Sequence, residues 1–289
     1  MVTPSTIVLT GATSGIGRQA ALALGALGHR LLVVGRNPAL LDALVRELRE
    51  RGAAEPRTFR ADLSLMADVR RVAAEIAEAA PAIDVLVNNA GAIFDERGAT
   101  TEGLERTFAL NHMAYWLLTR LLLPNVAASP AGRIVCTASR AHWRGHLDFD
   151  NLQFERGYSG WPAYAASKLA NICFVRELAR RLSTSERLRH VSVSALHPGF
   201  VASRFGDANG VLFAAVIRLL KYVTALSAEE GADTLVWLAT APDAPSRHGG
   251  YFAKRAAASL SAEARDPAVA HRLWDETAKL AGEPSDPAA

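Results

Sequence analysis

The sequence predicts an α/β fold in which a doubly wound, mostly seven-stranded parallel sheet carries helices on both faces. Three observations predict it. Short Val/Ile/Leu-rich runs without polar alternation recur along the chain, as in strands buried on both faces. Helical patterns separate these runs, and a strand–helix–strand rhythm repeated this often implies parallel pairing through right-handed crossovers. No Pro/Ser/Gly-rich linker divides the 289 residues, so one domain is expected over 1–281, with a flexible tail at 282–289.

The first strand is "TIVLT" (6–10), followed by a small-residue helix over 15–28. "RLLVVG" (30–35) precedes a helix at 38–52, and "RTFRA" (57–61) one at 65–80. "IDVLVN" (83–88) leads to a helix over 101–123, "RIVCTA" (133–138) to one over 161–184, and "HVSVSAL" (190–196) to one over 228–240. "GGYF" (249–252) is the seventh and weakest strand. Two segments break the rhythm, 140–160 and 200–227. They carry Trp143, Phe149, Phe154, Trp161, Phe200, Phe205, Leu212 and Phe213. Apolar walls of this kind suit a hydrophobic substrate, although aromatics that only pack the loops onto the core would read the same way. "LFAAVIRLLKY" (212–222) reads either as a lid over a pocket or as a segment touching lipid.

Composition excludes several classes. Half of the residues are hydrophobic, enough for a large core, and the net charge is only +3. The 32 basic residues are dispersed among 29 acids, not gathered into the patch or stripe of a nucleic-acid binder. Cys136 and Cys173 form neither a disulfide framework nor a metal pattern and read as core thiols in a reducing compartment. His142 and His146 are four residues apart but lack the rest of an H-E-x-x-H pattern, so no metal is expected. No secretory signal is visible, and the longest apolar run, "VLFAAVI", is too short to span a bilayer. The expectation is a cytoplasmic protein without an integral membrane segment.

Gly11, Gly15 and Gly17 bridge the first strand and first helix. Glycine allows a tight turn and a close backbone approach to a ligand. The helix presents unpaired N–H groups and its positive dipole end to that turn, an arrangement suited to a pyrophosphate. In a βαβ dinucleotide site, an acid about 20 residues past the glycines hydrogen-bonds the ribose hydroxyls. Here that place holds Arg36, whose forked guanidinium suits a phosphate monoester. The expected cofactor is therefore NADP(H), with Arg36 on the 2′-phosphate. Arg18 either adds positive potential or is a surface residue.

"YAASK" puts Tyr164 and Lys168 four residues apart, on one helical face. A phenol trades protons near neutrality only if its anion is stabilised, and a nearby ammonium does this. Ser139 ends the fifth strand, at the carboxyl edge where open α/β sheets bind ligands, and its hydroxyl is placed to hold a substrate carbonyl.

With G-x-x-x-G-x-G after Thr10, "NNAG" at 88–91 and "YAASK", the chain resembles the short-chain dehydrogenase/reductase family, a single-domain Rossmann fold. The resemblance implies a catalytic tetrad of Asn111, Ser139, Tyr164 and Lys168, with Asn111 supporting a water-linked proton relay to Lys168. It implies cofactor contacts from Thr10, Gly11, Thr13, Ser14, Gly15, Ile16 and Gly17. Asp62 and Leu63 would flank the adenine, with Asn88, Ala90 and Gly91 beside the ribose. Tyr164 and Lys168 would hold the nicotinamide ribose. In "LHPGFVAS", Pro198, Gly199, Val201 and Ser203 would contact the carboxamide, with His197 part of the turn.

"YAASKLANICFVRELARRL", "SAEEGADTLVWLAT" and "GGYF" resemble the retinol-dehydrogenase-like branch, which includes the WW-domain oxidoreductases. That branch implies reversible hydride transfer between NADPH and the carbonyl or alcohol of a lipophilic small molecule. Ala138 departs from it, standing where the branch usually has a second serine. The competing reading is a catalytically silent NADP-binding sensor or scaffold, which usually lacks the tyrosine or lysine. In the family, helices equivalent to 101–123 and 161–184 pair across subunits, which leaves a homodimer or homotetramer open.

Overall fold

The computed structural model describes residues 4–199 and 227–286. Eight strands form one sheet in the order β3-β2-β1-β4-β5-β6-β7-β8. They are β1 (Thr6–Thr10), β2 (Arg30–Gly35), β3 (Arg57–Arg60), β4 (Val85–Asn88), β5 (Arg133–Thr137), β6 (Ser192–Leu196), β7 (Tyr251–Ala253) and β8 (Ala256–Ala257). The first seven pair in parallel as the sequence predicts. The eighth is an addition, a two-residue antiparallel edge strand. It is joined to β7 by Lys254 and Arg255, both at positive φ (50° and 59°), the geometry of a tight hairpin. The strand order reverses between β1 and β4, and this switch point opens the crevice that holds the site.

The helices cover both faces. Those named here are α1 (Gly15–Ala26), α2 (Pro38–Glu50), α3 (Met66–Ala79), α4 (Arg106–Phe108), α5 (Ala114–Ala127), α6 (Gly160–Thr184), α7 (Ala228–Thr240), α8 (Ala262–Arg265) and α9 (Pro267–Ala281). One apolar core joins the sheet to α3, α5, α6 and α9, and a second joins it to α1, α2 and α7. Side-chain caps fix several helix starts. Asn37 accepts the Leu40 N–H ahead of α2, and Ser227 and Glu230 form a reciprocal capping box on α7.

Three departures from the sequence reading bear on function. The helix expected over 101–123 begins only at the Glu105 cap and contains a π-helical turn, Ala109–Met113, between α4 and α5. A 3-10 turn, Arg140–Arg144, follows Ser139. The third is α9, unpredicted although its buried residues Ala270, Leu273, Trp274, Thr277, Ala278 and Ala281 follow helical spacing. Asp266 caps it, Pro267 opens it and Gly282 closes it in the left-handed region.

Within the segment 282–289 the described residues end at 286. Glu283 pairs with Arg70 and Arg120, and the Ser285 carbonyl accepts from Trp274 Nε1 and Arg181. The Asp286 carbonyl accepts from Arg120. Among the described residues no helix is long and apolar enough to cross a membrane.

Candidate active site

The site is a cleft of about 590 Å³ along the carboxyl edge of β1, β2, β4, β5 and β6. One end is the turn from β1 into α1. Gly11 has φ 67°, and a Cβ on it would stand 2.7 Å from Ala90 Cα. A Cβ on Gly17 would stand 2.3 Å from the Gly11 carbonyl oxygen and 2.5 Å from Asn89 Nδ2. Both positions therefore exclude side chains, and the loop presses directly on the turn after β4. At the start of α1, Ser14 makes no side-chain capping bond, and the first turn carries no acid. Thr13, Ser14, Gly15 and Ile16, at and before that helix start, all line the cleft. An uncapped helix N-terminus beside two positions that exclude side chains fits a pyrophosphate.

Thr10 acts behind this loop. Its hydroxyl accepts the N–H groups of Asn89 (2.8 Å) and Ala90 (3.1 Å) and donates to the Val87 carbonyl (3.3 Å). Buried and outside the cleft lining, it joins the ends of β1 and β4. Asn88, expected beside the ribose, is likewise outside the cleft lining. It is fully buried, and its amide donates to Thr119 Oγ1 at 2.9 Å. The reason is strand alternation: Asn88 ends β4 facing the helix layer, so Asn89 takes the cleft side. Asn89 lines the cleft, donates to the Thr10 carbonyl at 3.1 Å and accepts from Thr137 Oγ1 at 3.2 Å.

At the adenosine end the lining is Gly35, Arg36, Asn37, Leu40, Ala61 and Leu63. Arg36 is 65% exposed, with its guanidinium 3.9 Å from Asp62 Oδ2. Asp62 itself is not in the lining. Its carboxylate accepts from the Ser64 N–H and hydroxyl, closing the turn that presents Leu63. Arg18 is engaged by Glu47 of α2 and so adds little free charge to the cleft.

The reactive end gathers Ser139, Tyr164 and Lys168 in the same lining. Ser139 follows β5, and its hydroxyl accepts the Ala141 N–H at 3.1 Å. Burial pushes the Tyr164 phenol up to about 12, with the Ser139 hydroxyl acting in the opposite direction. The sequence expects Lys168 to lower it, but among the protein's own groups burial outweighs any such effect. Lys168 is 3% exposed and donates to the Thr137 carbonyl at 3.1 Å. Burial brings its ammonium down to about 8.

Asn111 lies outside the lining, in the π-helical turn, and clamps the irregular segment after "NNAG". Its Oδ1 accepts the Ala92 N–H at 2.9 Å, and its Nδ2 donates to the Ala92 carbonyl and to Ser167 Oγ, both at 2.9 Å. Ser167 in turn donates to the Tyr164 carbonyl at 2.7 Å. Sequence reasoning did not single out Ser167, though its place beside Lys168 in "YAASK" was a signal. The chain Ala92–Asn111–Ser167–Tyr164 fixes helix α6 against the cleft floor.

His142 holds the other side. Its Nδ1 bonds the Ser139 carbonyl at 2.8 Å, and its Nε2 accepts the Ser261 N–H at 3.3 Å. His146 contacts Glu263 instead. Among the described residues no group of three or more His, Cys, Asp or Glu is placed to hold a metal. His197 accepts the Gly199 N–H at 3.2 Å, within the turn where Pro198 and Gly199 line the cleft. Val201, Ser203, Phe200, Phe205 and the whole of 212–222 lie outside the described residues. Of the four described aromatics expected to wall the pocket, only Trp161 lines the cleft. Phe149 and Phe154 pack against the core and Trp143 lies over His142, while Ile93, Phe94 and Leu110 are unpredicted lining residues.

A family model described as short chain dehydrogenase matches residues 5–210. DnrU of Streptomyces sp. (strain C5), whose name provisionally gives it as a daunorubicin C-13 ketoreductase, is 38% identical over 96% of this chain and 93% of its own. Retinol dehydrogenase 13 of Homo sapiens is 35% identical over 96% and 84%. A solved short chain dehydrogenase from Burkholderia cenocepacia J2315, in complex with NADP, superposes with a TM-score of 0.67 at 25% identity, covering 86% of this chain and 95% of that one.

Proposed function

This chain belongs to the short-chain dehydrogenase family of alcohol/carbonyl oxidoreductases, and from that premise we propose that it transfers hydride between NADPH and the carbonyl or alcohol carbon of a lipophilic small molecule. The observation that carries the reading is the presence of Ser139, Tyr164 and Lys168 in the same cleft as the loop of Gly11 and Gly17, where side chains are excluded at both glycines.

The cofactor, when bound, supplies or accepts the hydride. The α1 N-terminus and the Gly11–Gly17 loop hold its pyrophosphate, and Arg36 receives the 2′-phosphate. The Ser139 hydroxyl donates to the carbonyl oxygen and orients it. Tyr164, kept neutral by burial at physiological pH, gives that oxygen its proton in reduction, and the phenolate so formed takes the proton back in the reverse direction. Lys168 keeps an ammonium beside the phenol, and Asn111 and Ser167 hold α6 in register. Names of relatives that cite daunorubicin and retinol support an apolar substrate with an extended ring or polyene system. The two buried free thiols, Cys136 and Cys173, support a reducing, cytoplasmic setting.

The test is loss of NADPH absorbance across a panel of aldehydes and ketones, with Tyr164→Phe beside the wild type. Turnover is expected to fall by about 10²–10⁴-fold in the variant, while NADPH still raises its melting temperature. Equal turnover by the two proteins removes the acid/base assignment. NADPH binding by both without turnover leaves a silent nucleotide-binding protein.

A further inference from the structure

Helix α6 presents Trp161, Tyr164 and Lys168 at i, i+3 and i+7, a single stripe, and all three line the cleft. Their exposure falls steadily inward, from 45% at Trp161 to 8% at Tyr164 and 3% at Lys168. The indole centroid is 5.8 Å from that of the phenol, with the planes inclined by 37°. A tryptophan this exposed contributes little to the core, unlike Trp116 and Trp274, which are nearly inaccessible. Its position is nonetheless fixed. A Cβ on the preceding Gly160 would stand 2.3 Å from the Phe94 carbonyl oxygen, so α6 starts in direct backbone contact with the loop after β4. The Tyr158 hydroxyl donates to that same carbonyl at 2.8 Å. The start of α6 is thus fixed at the Phe94 carbonyl, immediately before the indole.

We propose that Trp161 is the specificity-determining platform of the site, and that the preferred substrates carry a flat, conjugated group directly on the reacting carbonyl. This rests on the oxidoreductase reading above and adds the substrate class to it. A carbonyl whose oxygen meets Ser139 and Tyr164 has its carbon beside the phenol, and its substituent leaves toward the open end of the stripe. Three residues of helix advance about 4.5 Å, which sets the indole beyond the phenol toward the open end of the cleft, within reach of a ring attached to the carbonyl. An aryl group there lies on the indole face, whereas a puckered aliphatic ring of the same size meets it only at its edge. Aromatic faces reward the first arrangement beyond the area buried.

The test compares 2-acetylnaphthalene with cyclohexyl methyl ketone, two methyl ketones that differ in planarity, on wild type, Trp161→Ala and Trp161→Phe. For the alanine variant, kcat/KM on the naphthyl ketone is expected to fall about tenfold or more. The cyclohexyl ketone and the KM for NADPH are expected to change by less than about threefold, and the phenylalanine variant to retain most of the discrimination. Equal losses on both ketones, or discrimination unchanged in Trp161→Ala, overturn the proposal. If the wild type turns over neither ketone, binding decides, and the oxidoreductase reading stands or falls on the wider panel above. Calorimetric affinity for 2-acetylnaphthalene that drops about tenfold in Trp161→Ala upholds the platform. Affinity that is absent or unaltered overturns it.

Discussion

Lys168 Nζ stands 5.8 Å from the centre of the Tyr164 ring while donating to the Thr137 carbonyl at 3.1 Å. The ammonium is thus tethered to the end of β5, the strand that also delivers Ser139. One strand end therefore sets the position of both polar partners of the phenol. Burial acts on the two titrating groups in opposite directions, lifting Tyr164 to about 12 and lowering Lys168 to about 8.

The first consequence is a pH profile. Tyr164 stays protonated throughout the neutral range, so the proton needed for carbonyl reduction is present, and the group that changes is Lys168. For reduction, log kcat/KM is expected to hold level up to about pH 8 and to decline above it, as the ammonium beside the phenol loses its charge. Lys168→Arg keeps a charge at every accessible pH. It should lower the level of the profile but remove the decline near pH 8. A decline that persists unchanged in Lys168→Arg assigns it to another group.

The same burial makes Lys168 a cost to the fold. Its folded value of about 8 lies below the ordinary 10.5. Between those limits the unfolded chain binds a proton that the folded chain has released, so stability rises with pH across that window. Below about pH 8 the full penalty of a buried ammonium is present. Lys168→Met fills similar volume without charge, and Asn171 Nδ2 remains 3.5 Å from the Thr137 carbonyl. At pH 7 this variant is expected to melt higher than wild type by about 2–6 °C, with the difference shrinking toward pH 10, while turnover is lost. A lower melting point at pH 7 with no pH trend contradicts the argument.

Much of this site could be read from the chain because its chemistry depends on local spacing. Gly11, Gly15 and Gly17 sit within one turn, and Tyr164 and Lys168 within one helical turn, so distance along the sequence reports distance in space. What escaped depended on long-range pairing. The π-helical turn around Asn111 replaces one hydrogen-bond pattern with another and leaves no periodic trace in apolar spacing. That Asn89 and not Asn88 lines the cleft depends on which way each side chain leaves the end of β4, and the apolar run "VLV" before them does not report it. His142 reaches Ser261 across 119 positions. The omission of α9 is of another kind, because its caps and stripe were present in the sequence.

At the adenosine end, Arg36 carries the cofactor prediction. Its guanidinium is largely exposed, and Asp62 stands at the limit of ion pairing, 3.9 Å away, so little holds it from a phosphate monoester. Arg36→Asp replaces attraction by repulsion at that point. The KM for NADPH is expected to rise by about 10- to 100-fold, which corresponds to about 1.4–2.8 kcal/mol, with the KM for NADH changed little or improved. Steady-state kinetics with the two nucleotides checks it. An unaltered NADPH/NADH preference means that Arg36 does not select the 2′-phosphate.

The last prediction concerns the face that α5 and α6 would offer to a second subunit. Here α9 packs along α6, and Trp274 stacks on Phe174 at 5.9 Å and meets Trp116 edge-on at 5.5 Å. Arg120 of α5 and Arg181 of α6 bind the segment that follows, through Glu283, Ser285 and Asp286. Pairing of two chains through this face requires that α9 leave it, which exposes two large aromatics. The full chain is therefore expected to have the mass of one subunit in light scattering. Trp274→Ala should cost about 3–5 kcal/mol and lower the melting midpoint by roughly 10 °C. A chain ending at residue 266 should associate in a concentration-dependent way, as Trp116 and Phe174 become available to a neighbour. A full-length dimer that cross-links through α5 and α6, with α9 still protected from hydrogen exchange, would show that the cover and the interface coexist and that this argument is wrong.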